Sequence, residues 1–297
     1  MTPISKASDH RTAQEREHAD PLWRNVAIER VQDYWDSRPC NVRHSLKPVG
    51  TREYFDEVEA RKYFVEPHIP HFAQFERWRD KRVLEIGCGI GTDTINFARH
   101  GARVTAVELS GRSLEIAQQR AAVFGLQHRV RFYKGDAEQL TSFVPIEAYD
   151  LVYSFGVIHH TPHPERILSE VRSYMRPGST LRIMLYHRRS WKVLWILLTY
   201  SKGRFWRLSE LVARHSEAQS GCPVTYTYTR REAREFLERC GYSLREVRLE
   251  HIFPYRIADY LQYRYVPIWY FRWMPQPLFR SLEKRFGWHL CLTAEAL

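Results

Sequence analysis

The run Glu85-Ile86-Gly87-Cys88-Gly89-Ile90-Gly91 places three glycines at alternate positions behind a carboxylate. Glycines so spaced let the chain turn sharply and let a ligand lie against bare main chain. A diphosphate site would read G-x-G-x-x-G, with the phosphates on the following helix N-terminus. Here the spacing is G-x-G-x-G, so the ligand implied is a nucleoside rather than a dinucleotide. Three further groups stand in order behind the loop. Glu108, followed by Leu109, ends the second apolar run and is suited to both hydroxyls of a ribose. Gly135-Asp136-Ala137-Glu138 sets carboxylates beside exposed backbone, where an adenine amine and ring nitrogen can be read. Tyr153-Ser154-Phe155-Gly156 ends a fourth apolar run and offers an aromatic face. Beyond it lie His159-His160 and, later, Tyr186-His187, groups with acid–base capacity.

These residues need elements to hold them. From Lys81 to Tyr186 short apolar runs alternate with helical patterns, the signature of βαβ units. Strands are predicted over Arg82–Gly87, Val104–Val107, Val130–Tyr133, Tyr149–Tyr153 and Leu181–Tyr186. A helix carrying Ile167, Leu168, Val171 and Met175 is expected to run to Pro177-Gly178. Ahead of this core, residues 1–79 read as an N-terminal helical extension, aromatic and charged, with two or three short helices interrupted by Pro67 and Pro70. After residues 80–186, the core proper, residues 187–228 read as a helical insertion above the sheet. Residues 229–297 complete the core: Thr229-Arg230-Arg231-Glu232 is a capping box opening a helix that stops at Gly241. A strand at Leu244–Ile252, an aromatic, basic stretch and a last strand at His289–Thr293 follow.

The order and spacing of the four cofactor-type motifs resemble the class I S-adenosylmethionine-dependent methyltransferase family, closely over 81–186 and more loosely near 229–252. The resemblance implies an α/β fold, a doubly wound Rossmann-like seven-stranded mixed sheet carrying the N-terminal extension and a helical lid. It implies S-adenosylmethionine held by Glu85, Gly87, Cys88, Gly89, Gly91, Glu108, Leu109, Asp136, Ala137, Glu138, Ser154 and Phe155, with Glu108 on the ribose and Asp136-Ala137 on the adenine. Methyl transfer at a sulfonium disperses positive charge, so the protein must chiefly align nucleophile, carbon and sulfur. Candidates for the chemistry are His159, His160, Tyr186 and Tyr54. Aromatic faces for the sulfonium could come from Phe155, Tyr153, Tyr54, Phe55, Tyr63 or Phe64, and Arg43, His44 or Arg61 could meet the methionine carboxylate.

The substrate class follows by exclusion. The strand-4 motif is not the Pro-Pro-aromatic sequence of amino-methylating DNA enzymes, no cysteine stands where cytosine-C5 enzymes need one, and the Asp, Asp-Asn set of catechol enzymes is not found. A small-molecule acceptor is expected, with S-adenosylhomocysteine as product. A second reading keeps the fold and makes S-adenosylmethionine its own substrate, cyclised to azetidine-2-carboxylate with release of methylthioadenosine. A third, from another class, is a basic RNA- or membrane-binding module. A net charge of +11 and the stretch Trp269-Tyr270-Phe271-Arg272-Trp273 would suit it, but charge alone does not specify a partner. No nucleic-acid partner is expected, membrane contact is the less favoured reading, and a monomer or homodimer is anticipated. The five cysteines lack C-x-x-C spacing, so neither a disulfide framework nor a zinc site is expected, and no metal is assigned. The polar first twenty residues carry no secretory-type apolar stretch, which makes a cytoplasmic location the expectation.

Overall fold

The computed structural model describes residues 22–216 and 221–297; the first part of the expected extension lies outside the described residues. Strands β1 (Arg82–Ile86), β2 (Arg103–Glu108), β3 (Val130–Lys134), β4 (Tyr149–Phe155), β5 (Met175–Tyr186), β6 (Tyr242–Glu250) and β7 (His289–Ala296) form one sheet of order β3-β2-β1-β4-β5-β7-β6. The first five run parallel, and β7 enters antiparallel between β5 and β6. The mixed seven-stranded sheet inferred from the sequence is therefore present.

Period-two alternation sends side chains to two separate cores. From β1, Leu84 and Ile86 face one side while Val83 faces the other. The first core is closed by Ile167, Leu168 and Val171 of helix Pro164–Arg172 and by Ala233, Phe236 and Leu237 of helix Arg230–Arg239. The second is closed by Phe97 and Ala98 of helix Thr92–Arg99 and by Leu114 and Ala117 of helix Gly111–Val123. Helices on both faces of a mostly parallel sheet are the doubly wound arrangement. In chain order these helices are α4 (Thr92–Arg99), α5 (Gly111–Val123), α6 (Pro164–Arg172) and α9 (Arg230–Arg239). Ahead of them stand α1 (Ile28–Ser37), α2 (Arg52–Val65) and α3 (His68–Ala73), and between α6 and α9 lie α7 (Trp191–Tyr200) and α8 (Leu208–His215). Short α10 (Ile257–Tyr260) and α11 (Trp269–Arg272) and the longer α12 (Gln276–Phe286) precede β7.

Several boundaries depart from the sequence expectation, β7 running on to Ala296 among them. Helix α6 ends at Arg172, and Met175, Pro177 and Gly178 belong to β5. Arg176 precedes a proline, which disfavours helical backbone; the Ser179 hydroxyl closes the resulting bend by accepting from the Arg176 amide at 3.0 Å and ties it to β4 by donating to the Tyr149 carbonyl at 2.5 Å. Strand β6 begins two residues earlier than expected, at Tyr242 directly after Gly241. The capping box at Thr229 and Glu232 is formed as read.

The N-terminal helices are anchored to the core by charge. Asp36 of α1 accepts from the Ser110 hydroxyl at 2.7 Å and the Arg112 amide at 3.1 Å, so α1 sits on the N-terminus of α5. Arg120 of α5, fully buried, pairs with Glu59 of α2 at 3.0 Å and donates to Thr92 at 2.6 Å. No helix among the described residues is long and apolar enough to cross a membrane.

Candidate active site

At the carboxyl ends of β1, β2 and β4 the sheet opens into a cavity of about 360 Å³, within the range of small-molecule sites. Its floor is the glycine loop. The Gly87 amide donates to the Val107 carbonyl at 2.8 Å, prolonging the β1–β2 pairing. Gly87 has φ +74, and a Cβ there would stand 2.2 Å from a Val157 methyl. A Cβ at Gly89 would project into open space, which leaves bare backbone facing the cavity. Gly91 does not line it; the residue caps α4, and a Cβ there would meet Ala117 at 3.0 Å. Its requirement is close helix packing.

Glu108 stands at the cavity edge, and its carboxylate binds the loop. Oε2 accepts from the Gly89 amide and Oε1 from the Ser110 amide, both at 2.8 Å. Burial pushes its carboxyl upward in spite of these bonds. Leu109, Asp136 and Ala137 line the next section of wall. Asp136 also accepts from the Glu138 amide at 2.9 Å, which holds the turn after β3 in place. Cys88 and Phe155 reach the cavity as well; burial pushes the Cys88 thiol well up.

Several residues assigned to the ligand from sequence face elsewhere. Glu138 accepts from the Thr161 hydroxyl and, at 2.8 Å, from the His163 amide, so it ties the β3 turn to α6. Ser154 is buried and donates to the Ile86 carbonyl at 3.1 Å, between β4 and β1. Glu85 lies beneath the loop and accepts from Thr94 at 2.6 Å; burial, and then the charge of Asp93, pushes its carboxyl up to about 8.

The catalytic candidates divide in the same way. His160 and Tyr186 line the cavity, and the His160 Nδ1 lies 2.8 Å from the Val224 carbonyl, which assigns the proton to that nitrogen. His159 is fully buried behind the wall, its ring 3.9 Å from that of Tyr186, and burial drives it well below the ordinary histidine range. It packs rather than reacts. Tyr54 does not reach the cavity. Its ring lies in an apolar cluster with Phe55, Val58, Ile90 and Ile116, and its hydroxyl donates to the Val42 carbonyl at 2.8 Å. The anticipated aromatic cage from Tyr54 to Phe64 is therefore absent: Tyr63 bonds Asp93 at 2.9 Å, and Phe64 is exposed beside Tyr255 and Tyr265. Arg61 is also committed, donating to the Tyr260 carbonyl at 2.6 Å with its guanidinium 4.3 and 4.0 Å from the Tyr260 and Tyr263 rings. Arg43 is exposed and lies off the cavity, whereas His44 lines it. Burial and the charge of Arg61 lower His44 to about 4.

The far end of the cavity joins Phe155 and Tyr186, both read from the sequence, to residues that sequence reasoning missed. Phe155, Met184, Tyr186, Phe253 and Trp288 make it apolar and aromatic, and Glu66, His251 and His289 add polar atoms. Tyr186 stacks on Trp288 at 4.1 Å, and His251 stacks on His289 at 4.6 Å. Buried His68 extends the group, its Nε2 2.9 Å from the His289 Nδ1. Burial lowers all three imidazoles, His68 to about 3. No local spacing marks these residues, because they come from the end of α2, the start of α3 and the facing ends of β6 and β7.

Residues 83–178 match a family described as a methyltransferase domain. A ubiquinone biosynthesis O-methyltransferase of Aeromonas salmonicida is 32% identical over 108 residues, 36% of this chain and 44% of that protein. An uncharacterized protein of a Synechococcus species is 33% identical over 107 residues, 35% of this chain and 25% of its own length. The chain thus spans less than half the length of these two relatives. Among solved structures, the magnesium protoporphyrin IX methyltransferase of Synechocystis PCC 6803 with bound S-adenosylhomocysteine superposes with a TM-score of 0.56 at 17% identity. The match covers 91% of this chain and 100% of that one.

Proposed function

From the premise that this chain carries a class I S-adenosylmethionine-dependent methyltransferase domain, we propose that it transfers a methyl group to an apolar, aromatic small molecule bearing an ionisable hydroxyl. One observation carries the reading: a single cavity joins a nucleoside-type end, at Gly87, Glu108 and Asp136, to an aromatic end at Phe155, Tyr186 and Trp288. Bare backbone at Gly89 gives the cofactor its seat, Glu108 accepts from the ribose, and Asp136 with the Ala137 backbone meets the adenine. The sulfonium then points along the cavity, where the Phe155 and Tyr186 rings favour positive charge. Alignment of acceptor oxygen, methyl carbon and sulfur supplies the main acceleration, worth about 7–11 kcal/mol at best. The walls formed by α1 and by Lys192 of α7 enclose the reacting atoms and exclude water.

Self-cyclisation of S-adenosylmethionine has less support, because the aromatic residues that would have caged the sulfonium without an acceptor are packed elsewhere. The two reactions separate in one experiment. The purified protein is given S-adenosylmethionine with and without a fractionated small-molecule extract, and products are followed by mass spectrometry. S-adenosylhomocysteine formed only with extract, together with a methylated apolar product, supports transfer. Methylthioadenosine formed without any acceptor would sink the proposal in favour of cyclisation.

A further inference from the structure

Glu66, His251 and His289 converge on one point of the cavity wall, each offering an atom within 4.8 Å of the other two. We propose that these three residues bind a divalent first-row metal ion at the acceptor end of the cavity, where it takes the acceptor's hydroxyl oxygen as a further ligand. The site itself stands on the side chains alone; its role toward the acceptor rests on the transferase reading above.

Two imidazoles and one carboxylate are a donor set for zinc and its neighbours, and three protein ligands leave positions open for substrate. With bonds of about 2.1 Å, tetrahedral ligand atoms stand about 3.4 Å apart. The His289 Nε2 and Glu66 Oε1 are 3.7 Å apart, so that edge is close to formed, and the wider edges close by about an ångström of side-chain rotation. The outer contact is in place as well. The His289 Nδ1 meets the His68 Nε2 at 2.9 Å, so a proton on Nδ1 given to His68 leaves the Nε2 lone pair directed at the metal. Metal-bound histidines characteristically donate their other ring nitrogen in this way. His251 is held in a left-handed backbone conformation, φ +71, with its carbonyl accepting from the Trp288 amide at 2.9 Å. Such backbone persists only where surrounding structure imposes it.

Charge balance names the acceptor. A dication and one carboxylate leave a single positive charge. An oxyanion completes the set, whereas an amine would not. The hydroxyl gives its proton to water as it enters, before the cavity is dry; its oxygen then forms the new O–C bond, and the C–S bond breaks with its electron pair passing to sulfur. The sulfonium becomes a neutral thioether, and the metal keeps its oxidation state throughout.

The test uses the chelator-treated protein, titrated with Co²⁺ by visible absorbance and with Zn²⁺ by calorimetry. One equivalent is expected to bind, with the ligand-field bands of a site of low coordination number. Glu66→Gln and His251→Ala are each expected to weaken metal affinity at least about tenfold, while adenosylhomocysteine binds both as it binds wild type. Absence of stoichiometric metal binding by wild type, or unchanged affinity in both variants, would overturn the site. Should either variant lose adenosylhomocysteine binding through misfolding, wild type still decides. Co²⁺ must shift or broaden the imidazole resonances of His251 and His289, and unperturbed resonances refute the proposal. Metal binding without adenosylhomocysteine binding would remove the transferase reading and leave the site standing; the converse result would remove the site alone.

Discussion

Glu108 and Gly89 are joined by a hydrogen bond of 2.8 Å from the glycine amide to the carboxylate, across the gap between β2 and the loop after β1. The side chain proposed to receive the ribose thus also shapes the glycine loop. Glu108→Ala removes both roles. Adenosylhomocysteine affinity is expected to fall by about 1–3 kcal/mol, the loss typical of charge-assisted hydrogen bonds. Calorimetry measures it directly, and an unchanged affinity would remove Glu108 from the site.

Gly87 faces Val157 so closely that a methyl group at 87 must displace it, and the positive φ penalises any side chain there independently. Gly87→Ala is expected to cost about 2–3 kcal/mol of stability, combining backbone strain with overpacking. Adding Val157→Gly should recover the steric part and leave the backbone part. Urea unfolding of the single and double variants separates the two, and an unaltered midpoint in Gly87→Ala would contradict the geometry.

The buried guanidinium of Arg120 depends on Glu59, which also holds Arg99 at 2.8 Å. Glu59→Gln leaves a charge inside the protein without its counter-ion and is expected to destabilise by about 3 kcal/mol. Because this pair docks α2 against α5, limited proteolysis should begin near α2 in the variant. Equal protease resistance in variant and wild type would argue that packing alone holds α2.

Glu85 gives a pH dependence of definite sign. Its folded carboxyl, raised by burial and by Asp93, titrates at about 8 against an ordinary 4.5. Between those values the folded chain holds a proton that the unfolded chain releases, so this residue makes stability fall as pH rises. Glu85→Gln carries no such charge. Its melting temperature relative to wild type should rise between about pH 4.5 and about pH 8. A constant difference across that range would show that Glu85 is ionised in the folded protein.

What was legible in the sequence is what a few neighbouring residues determine together. The Glu85–Gly91 loop, the acid ending β2, the capping box at Thr229 and the alternation of strands with helices are all short-range patterns. Steric and hydrogen-bond rules act on them locally, and together they carried the resemblance that implied the sheet, which is present. What the sequence left open was decided by direction and by distance along the chain. Asp136 lines the cavity while Glu138, two positions on, turns away to anchor α6; Phe155 faces in while its neighbour Ser154 bonds Ile86. A carboxylate reads the same in either case until the partner that captures it is known, and Thr161 and His163 are brought to Glu138 by the fold alone. Tyr54 and Tyr63 were drawn inward by Val42 and Asp93 for the same reason. The far end of the cavity was the least legible part, because Glu66, His251 and His289 meet only once β7 has inserted between β5 and β6. No sequence window contains that pairing, and only closure of the sheet makes neighbours of those side chains.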